Sequence, residues 1–288
     1  MRLCKIRPVA LCLAALLCLG FAAGCRSSQE DGSSPSGAGK VRMPSPKEDL
    51  TVIIDAGHGF RDPGSQPSFM LTPEKDATLK AAFILRDALE AKGVRVVLTH
   101  DGETYPSEET IIEKADEYGV KYNPAEKATN SNHMIDDGIF SAYERMIWSG
   151  VLEKQYPDAF FISLHTNSLD ESQPGASEVS GSSVYWCGDS NSRDDCVYFA
   201  DRLGDIMDGL GIKLRTYETP YDDSFFVTKN VAMPAVLIEL GFGSNESDAE
   251  KIQSEAWLSD FAAKVASLLA ETYLRSPVSS GSWINRIS

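Results

Sequence analysis

With 288 residues, 42% hydrophobic and 24% charged, the chain has room for one globular domain of ordinary composition with short appendages. Its formal net charge is −15; residues 1–24 hold three basic residues and no acid, so the remainder carries 24 basic against 42 acidic residues, or −18. A body this acidic repels phosphate backbones and anionic surfaces, which argues against nucleic acid as a partner.

The first element reads as an export signal. Arg2, Lys5 and Arg7 precede an apolar run over residues 9–21, and the small residues Ala22, Ala23 and Gly24 lead to Cys25. That run is shorter than the ~20 residues a membrane-spanning helix needs. Ala-Ala-Gly-Cys resembles a bacterial lipobox, with Ala22 where Leu is usual, and so predicts removal of residues 1–24 and lipidation of Cys25. An ordinary cleaved signal with an incidental cysteine is the alternative. Residues 25–47 then form the lipidated cysteine and a flexible tether rich in Ser, Gly and Pro, without a periodic apolar face.

From residue 48 the chain alternates strand-like and helix-like segments. Residues 50–55 (LTVIID) form a short β-branched apolar run. Residues 73–92 carry Leu79, Ala82, Phe83, Leu85 and Leu89 at helical spacing, with Thr72 as the expected N-cap, Pro73 at the first helical position and Gly93 as the stop. Residues 94–99 (VRVVLT) are a second strand, followed by a long polar stretch over 101–138. A helix over 141–154 precedes a strand at 159–164 (AFFISL), an extended segment at 183–186 and a helix over 196–210. The last elements are a strand at 235–240 (AVLIEL), a short helix with a capping box from Ser247 and Glu250, and a helix over 257–274. This alternation, with strands that are continuous apolar runs, predicts an α/β fold. It should be a single three-layer domain over 48–274, a mostly parallel twisted sheet with helices on both faces, followed by a tail over 275–288.

Once the leader and Cys25 are set aside, only Cys187 and Cys196 remain, flanking the polar loop GDSNSRDD. In an oxidising compartment they are candidates for one disulfide. Their spacing matches no common zinc template.

Ligands of open α/β sheets bind beyond the carboxyl ends of the strands. There LTVIID is followed by Ala-Gly-His58-Gly, AFFISL ends at His165, and AVLIEL carries Glu239. Glu74 sits in the first helical turn after the His58 loop. Two imidazoles and a carboxylate with an open fourth position make a catalytic zinc site, and a second carboxylate is then needed to move the proton of water. Each residue also has a plainer account. A first-turn glutamate suits the helix dipole, and a histidine at a strand end is often only hydrogen-bonded. Glu239 resists such an account, because a carboxylate in an apolar strand costs several kcal/mol unless paired or metal-bound. Spacing alone leaves open which glutamate binds and which carries the proton. His100 and His133 stand apart, as a strand-end and a loop residue.

Four stretches in order, VIIDAGHGFRDPGS, EKDATLKAAFILRDALEAKGVRVVLTH, FISLHTNS and PAVLIELGFGSNESD, resemble the zinc N-acetylmuramoyl-L-alanine amidases of the Amidase_3 family. The resemblance implies one Zn²⁺ held by His58, Glu74 and His165, with Glu239 as the catalytic carboxylate. It further implies hydrolysis of the amide between N-acetylmuramic acid and L-alanine in peptidoglycan. The protein is then expected to be an exported, membrane-anchored lipoprotein facing the cell wall or periplasm. Its partners would be peptidoglycan and the membrane through Cys25, and a protein activator is left open. Alternatives are another zinc peptidase or amidase on the same fold, or a catalytically silent peptidoglycan-binding lipoprotein. The sequence departs from the family at Phe60, where a second Gly is usual, at His100 in place of Arg, and at Gly243 in place of Leu. The stretch over 101–138 is longer than usual; with Tyr105, Tyr118 and Tyr122 it either walls a glycan groove or is a tolerated surface insertion.

Overall fold

The computed structural model describes residues 43–47, 49–125, 140–186, 192–216, 226–228 and 231–274. Cys25, the leader, most of the tether, His133, Cys187 and the tail over 275–288 lie outside the described residues, and with them the lipidation and disulfide expectations.

The apolar runs become the centre of one sheet. Strands β1 (Thr51–Ala56), β2 (Arg95–Leu98), β3 (Ala159–Asn167), β4 (Ser182–Trp186), β5 (Leu214–Thr216) and β6 (Ala235–Phe242) are ordered β2-β1-β3-β6-β4-β5. The β2-β1-β3-β6 part is parallel, β4 runs antiparallel to β6, and β5 runs parallel to β4. Side chains alternate across a sheet, and this alternation sorts the core into two layers. Val52, Ile54, Phe160, Ile162, Leu164, Val236, Ile238 and Leu240 pack into one layer. Ile53, Phe161, Ala235 and Leu237 pack into the other.

The first layer is covered by α1 (Glu74–Glu90), α4 (Arg193–Gly209) and α6 (Glu255–Tyr273), through side chains such as Leu85, Leu89, Phe199, Leu203, Phe261 and Leu269. Over the second lies α3 (Ala142–Gln155), which contributes Leu152. Its outer side holds α2 (Glu108–Tyr118) through Ile111, Ala115, Tyr143 and Ile147. Full burial of each large aliphatic or aromatic side chain contributes about 1.5–3 kcal/mol before chain entropy is charged against it. The expected three-layer, mostly parallel α/β architecture is the one observed.

Several local expectations shift. Pro73, rather than Thr72, is the N-cap of α1, which makes Glu74 its first residue. The polar stretch after residue 100 contains α2, started by Ser107 and stopped by Gly119 in the left-handed conformation. In α5 (Glu246–Gln253) the cap is Asn245, whose side chain accepts from the Asp248 amide, in place of the expected Ser247–Glu250 box. A capping box does occur at α3, between Ser141 and Glu144. Strands β3 and β6 run past Leu164 and Leu240, so that His165 joins Glu239 within the sheet and the two pair in register. No helix among the described residues is long and apolar enough to cross a membrane.

Candidate active site

Residues of one parity on the sheet supply the floor of the site. On the face carrying Ile53, Phe161 and Leu237, the next alternate positions are Asp55, Ser163, His165 and Glu239, so the apolar layer gives way to polar groups at the carboxyl ends of β1, β3 and β6. His58 enters from the loop after β1 and Glu74 from the first turn of α1.

The loop brings these parts together through unusual backbone. His58 and Phe60 take left-handed φ of 65° and 54°, and Gly59 lies between them at 128°. Non-glycine residues enter this region at a cost of about 1–3 kcal/mol and persist where surroundings hold them. Paired backbone bonds join Gly59 and Asp62, at 3.0 and 2.9 Å. Gly57 permits the closest approach, since a Cβ there would stand 2.4 Å from Cε1 of His165. Gly64, at φ 66°, likewise leaves room for His58 and Glu74, which a Cβ would meet at 2.7 and 2.8 Å.

One oxygen of Glu74 is the meeting point. Its Oε1 lies 3.4 Å from His58 Nε2, 3.3 Å from His165 Nδ1, and accepts from the Thr166 amide at 2.9 Å. Its Oε2 accepts from the Ser65 amide at 2.9 Å. Burial opposes ionisation of Glu74, yet the His165 and His58 bonds and charges outweigh it and hold the carboxyl well below the usual range. The Asp62 carboxylate lies 2.8 Å from His58 Nδ1, which fixes that nitrogen as the protonated one and turns Nε2 inward. For His58, burial works against the proton but the Asp62 and Glu74 carboxylates prevail and raise its pKa to about 10.

The group fits a divalent metal. Donor atoms of His58, Glu74 and His165 all lie within 4.8 Å of one another, one from each residue, among buried and half-buried side chains. The nitrogen and oxygen donor set suits zinc-like cations. Beside it Glu239 is nearly enclosed, and its Oε2 has no hydrogen-bond partner among the described residues. Burial, then the negative charge of Glu74, push its pKa up to about 8, partly offset by His58.

This shift has a measurable consequence in metal-free protein. The folded carboxyl keeps its proton to about pH 8 while an unfolded glutamate releases it near 4.5. The native state therefore loses stability as pH rises from 4.5 to 8, and the full cost applies above 8. Glu239→Gln does not titrate, so its melting temperature relative to wild type should climb across that window. The stability difference behind it should reach on the order of a few kcal/mol by pH 9. Parallel melting curves from pH 5 to 9, with chelator present, would count against it.

Three supporting residues escaped sequence reading. Asp62 orients His58. Asp55, fully buried, accepts from Thr99 at 2.7 Å and Ser163 at 2.8 Å and lies 3.6 Å from the Arg145 guanidinium. Arg145 bonds the carbonyls of Ala56 at 2.9 Å and His58 at 2.8 Å. A signal for Asp55 was available: like Glu239, it is an acid closing an apolar strand. His100, expected as a strand-end residue, is buried with Nε2 at 2.8 Å from Ala56 O. Tyr105 packs on Phe60 with ring centroids 4.1 Å apart, which ties the longer polar stretch to the His58 loop. Cys196 is buried in α4.

Known proteins resemble this chain in sequence or in fold. The chain is 27% identical over 208 residues to a probable cell wall amidase, LytH, of Staphylococcus saprophyticus, covering 72% of this chain and 53% of that protein. It thus spans about half the length of that relative. It is 28% identical to the uncharacterized protein YqiI of Bacillus subtilis, covering 74% of this chain and 79% of YqiI. Two solved structures share the fold. An N-acetylmuramoyl-L-alanine amidase from Clostridium difficile 630 matches with a TM-score of 0.55 at 19% identity, covering 78% of this chain and 97% of that one. The CwlD amidase of Clostridioides difficile, solved in complex with the GerS lipoprotein, matches at 0.53 and 23%, covering 75% and 94%. A family model, Amidase_3, described as N-acetylmuramoyl-L-alanine amidase, matches residues 52–271, which takes in the whole sheet but Thr51 and every site residue above. The chain belongs to that family.

Proposed function

We propose that this chain is a zinc-dependent amidase that cleaves the bond between the lactyl group of N-acetylmuramic acid and L-alanine in peptidoglycan. One observation carries the reading: in a chain of this family, His58, Glu74 and His165 converge beside a buried carboxylate whose Oε2 is unpartnered. His58 Nε2, His165 Nδ1 and a Glu74 oxygen would hold one Zn²⁺, which when bound would act as a Lewis acid on the scissile carbonyl and make water a stronger acid. Asp62 keeps His58 in the tautomer that presents Nε2. Glu239, at Oε2, takes the proton from attacking water and returns it to the leaving nitrogen of L-alanine. A cation held at the cluster would favour the ionised form Glu239 needs as a base, against the upward push of burial. Water enters as nucleophile, the C–N bond breaks, and the products are a lactyl carboxylate and a free L-alanine amine.

Mass spectrometry of digested peptidoglycan tests this directly. Stem peptides beginning with a free L-alanine, formed with zinc and absent with chelator, are the expected result. Cuts elsewhere in the peptide would assign a different zinc peptidase activity. Binding to peptidoglycan without any release would leave a silent wall-binding module.

The enzyme works outside the cell, held to a membrane at Cys25, with residues 25–47 as its leash and 48–274 as its catalytic domain. The positive start, the apolar run and the small residues before Cys25 support this. Cys25→Ser is expected to shift the protein from the membrane fraction to the soluble fraction and to abolish labelling with a radiolabelled fatty acid. Unchanged fractionation and no label in the wild type would remove the anchor from this account.

A further inference from the structure

We propose that Arg145 is a positioning residue for the metal centre: a carbonyl clamp that holds His58 in its ligating pose. The proposal rests on reading His58 as a metal ligand. The geometry behind it is independent of that reading. Arg145 lies in the first turn of α3 with its side chain almost wholly buried, 5% exposed. Its three donor nitrogens each meet a carbonyl: Nε meets Phe140 at 3.0 Å, Nη1 meets Ala56 at 2.9 Å and Nη2 meets His58 at 2.8 Å.

Two of those carbonyls bracket the turn at Gly57-His58, where His58 adopts φ 65°. A histidine relaxed to ordinary backbone there would swing its carbonyl and its ring together, since both leave the same Cα. A planar guanidinium bonded to carbonyls on either side fixes that orientation, as a flexible lysine cannot. The buried charge is matched by Asp55 at 3.6 Å, which Thr99, just past the end of β2, and Ser163 of β3 hold from either side. Arg145 touches none of the three candidate donors through their side chains. It acts on His58 through the main chain, whereas Asp62 acts through Nδ1.

The test compares wild type, Arg145→Lys and Asp55→Asn, each stripped of metal and folded by circular dichroism. Zinc affinity is measured by competition with a chromophoric chelator, the visible spectrum of the cobalt-substituted protein is recorded, and the metal-free melting temperature is taken alongside. Asp55→Asn keeps groups that Thr99 and Ser163 can bond and removes only the charge facing Arg145, so it serves should Arg145→Lys fail to fold. A clamp predicts zinc binding weakened about 10–100-fold with an altered cobalt spectrum, the range seen when a ligand loses its outer support. A role confined to packing would lower the melting temperature and leave both metal readouts unchanged, and affinity within about twofold of wild type overturns the proposal. If wild type itself binds no zinc, the metal reading falls and the clamp with it, an outcome separable from unchanged variants on a zinc-binding parent.

Discussion

Glu239→Gln is expected to bind one zinc ion as wild type does and to hydrolyse peptidoglycan about 10²–10⁴-fold more slowly, the range assigned to a positioned acid or base. Gln is close to Glu in shape, so the backbone register with His165 and the packing within β6 should persist. What it loses is the ability to accept a proton and give it back. Among the described residues Glu239 Oε2 has no hydrogen-bond partner. The loss should appear in kcat, with substrate affinity little changed, because the carboxylate handles a proton rather than the glycan or peptide. Zinc content and turnover are read on the same preparation. A Glu239→Gln protein that had lost its zinc would show that Glu239 is a ligand, and one that kept full turnover would remove it from catalysis.

Much of this site could be anticipated from residue type and position alone. The three apolar runs that end at His58, His165 and Glu239 became adjacent parallel strands β1, β3 and β6, because strands buried on both faces are nearly continuous in apolar residues. What pattern could not provide was reach. That His165 leans over Gly57, and that Glu74 begins α1 at its first residue, depends on a left-handed turn fixed by contacts far apart in sequence. Arg145 is the clearest case: it lies 87 positions from His58, and a lone arginine in a largely buried helix carries no mark of its partner. The strand β5 was missed because three residues, Leu214–Thr216, are too short to show a period. Helix α2 hid within a polar stretch because only Ile111 and Ala115 of its eleven residues are buried. Two buried positions leave little periodicity to detect.

Removing an imidazole should act on the metal rather than the proton. His165→Ala is expected to lower zinc affinity by more than the ~10–100-fold that loss of outer support costs, since it deletes a donor outright. Activity should fall in step with bound zinc and return only partly at high zinc concentration. His58 Nε2 and His165 Nδ1 approach the same Oε1 of Glu74 at 3.4 and 3.3 Å, so either imidazole removed leaves two donors and an open side. His165 is the cleaner choice of the two, for His58 also carries the left-handed turn and the bond to Asp62. Deleting it would disturb the loop and the site together. In His165→Ala the void falls above Gly57, where no Cβ stands to fill it, and water can enter. Zinc per protein, measured by atomic absorption after dialysis against a weak chelator, gives the answer. Stoichiometric zinc in His165→Ala, held as tightly as in wild type, would remove His165 from the donor set.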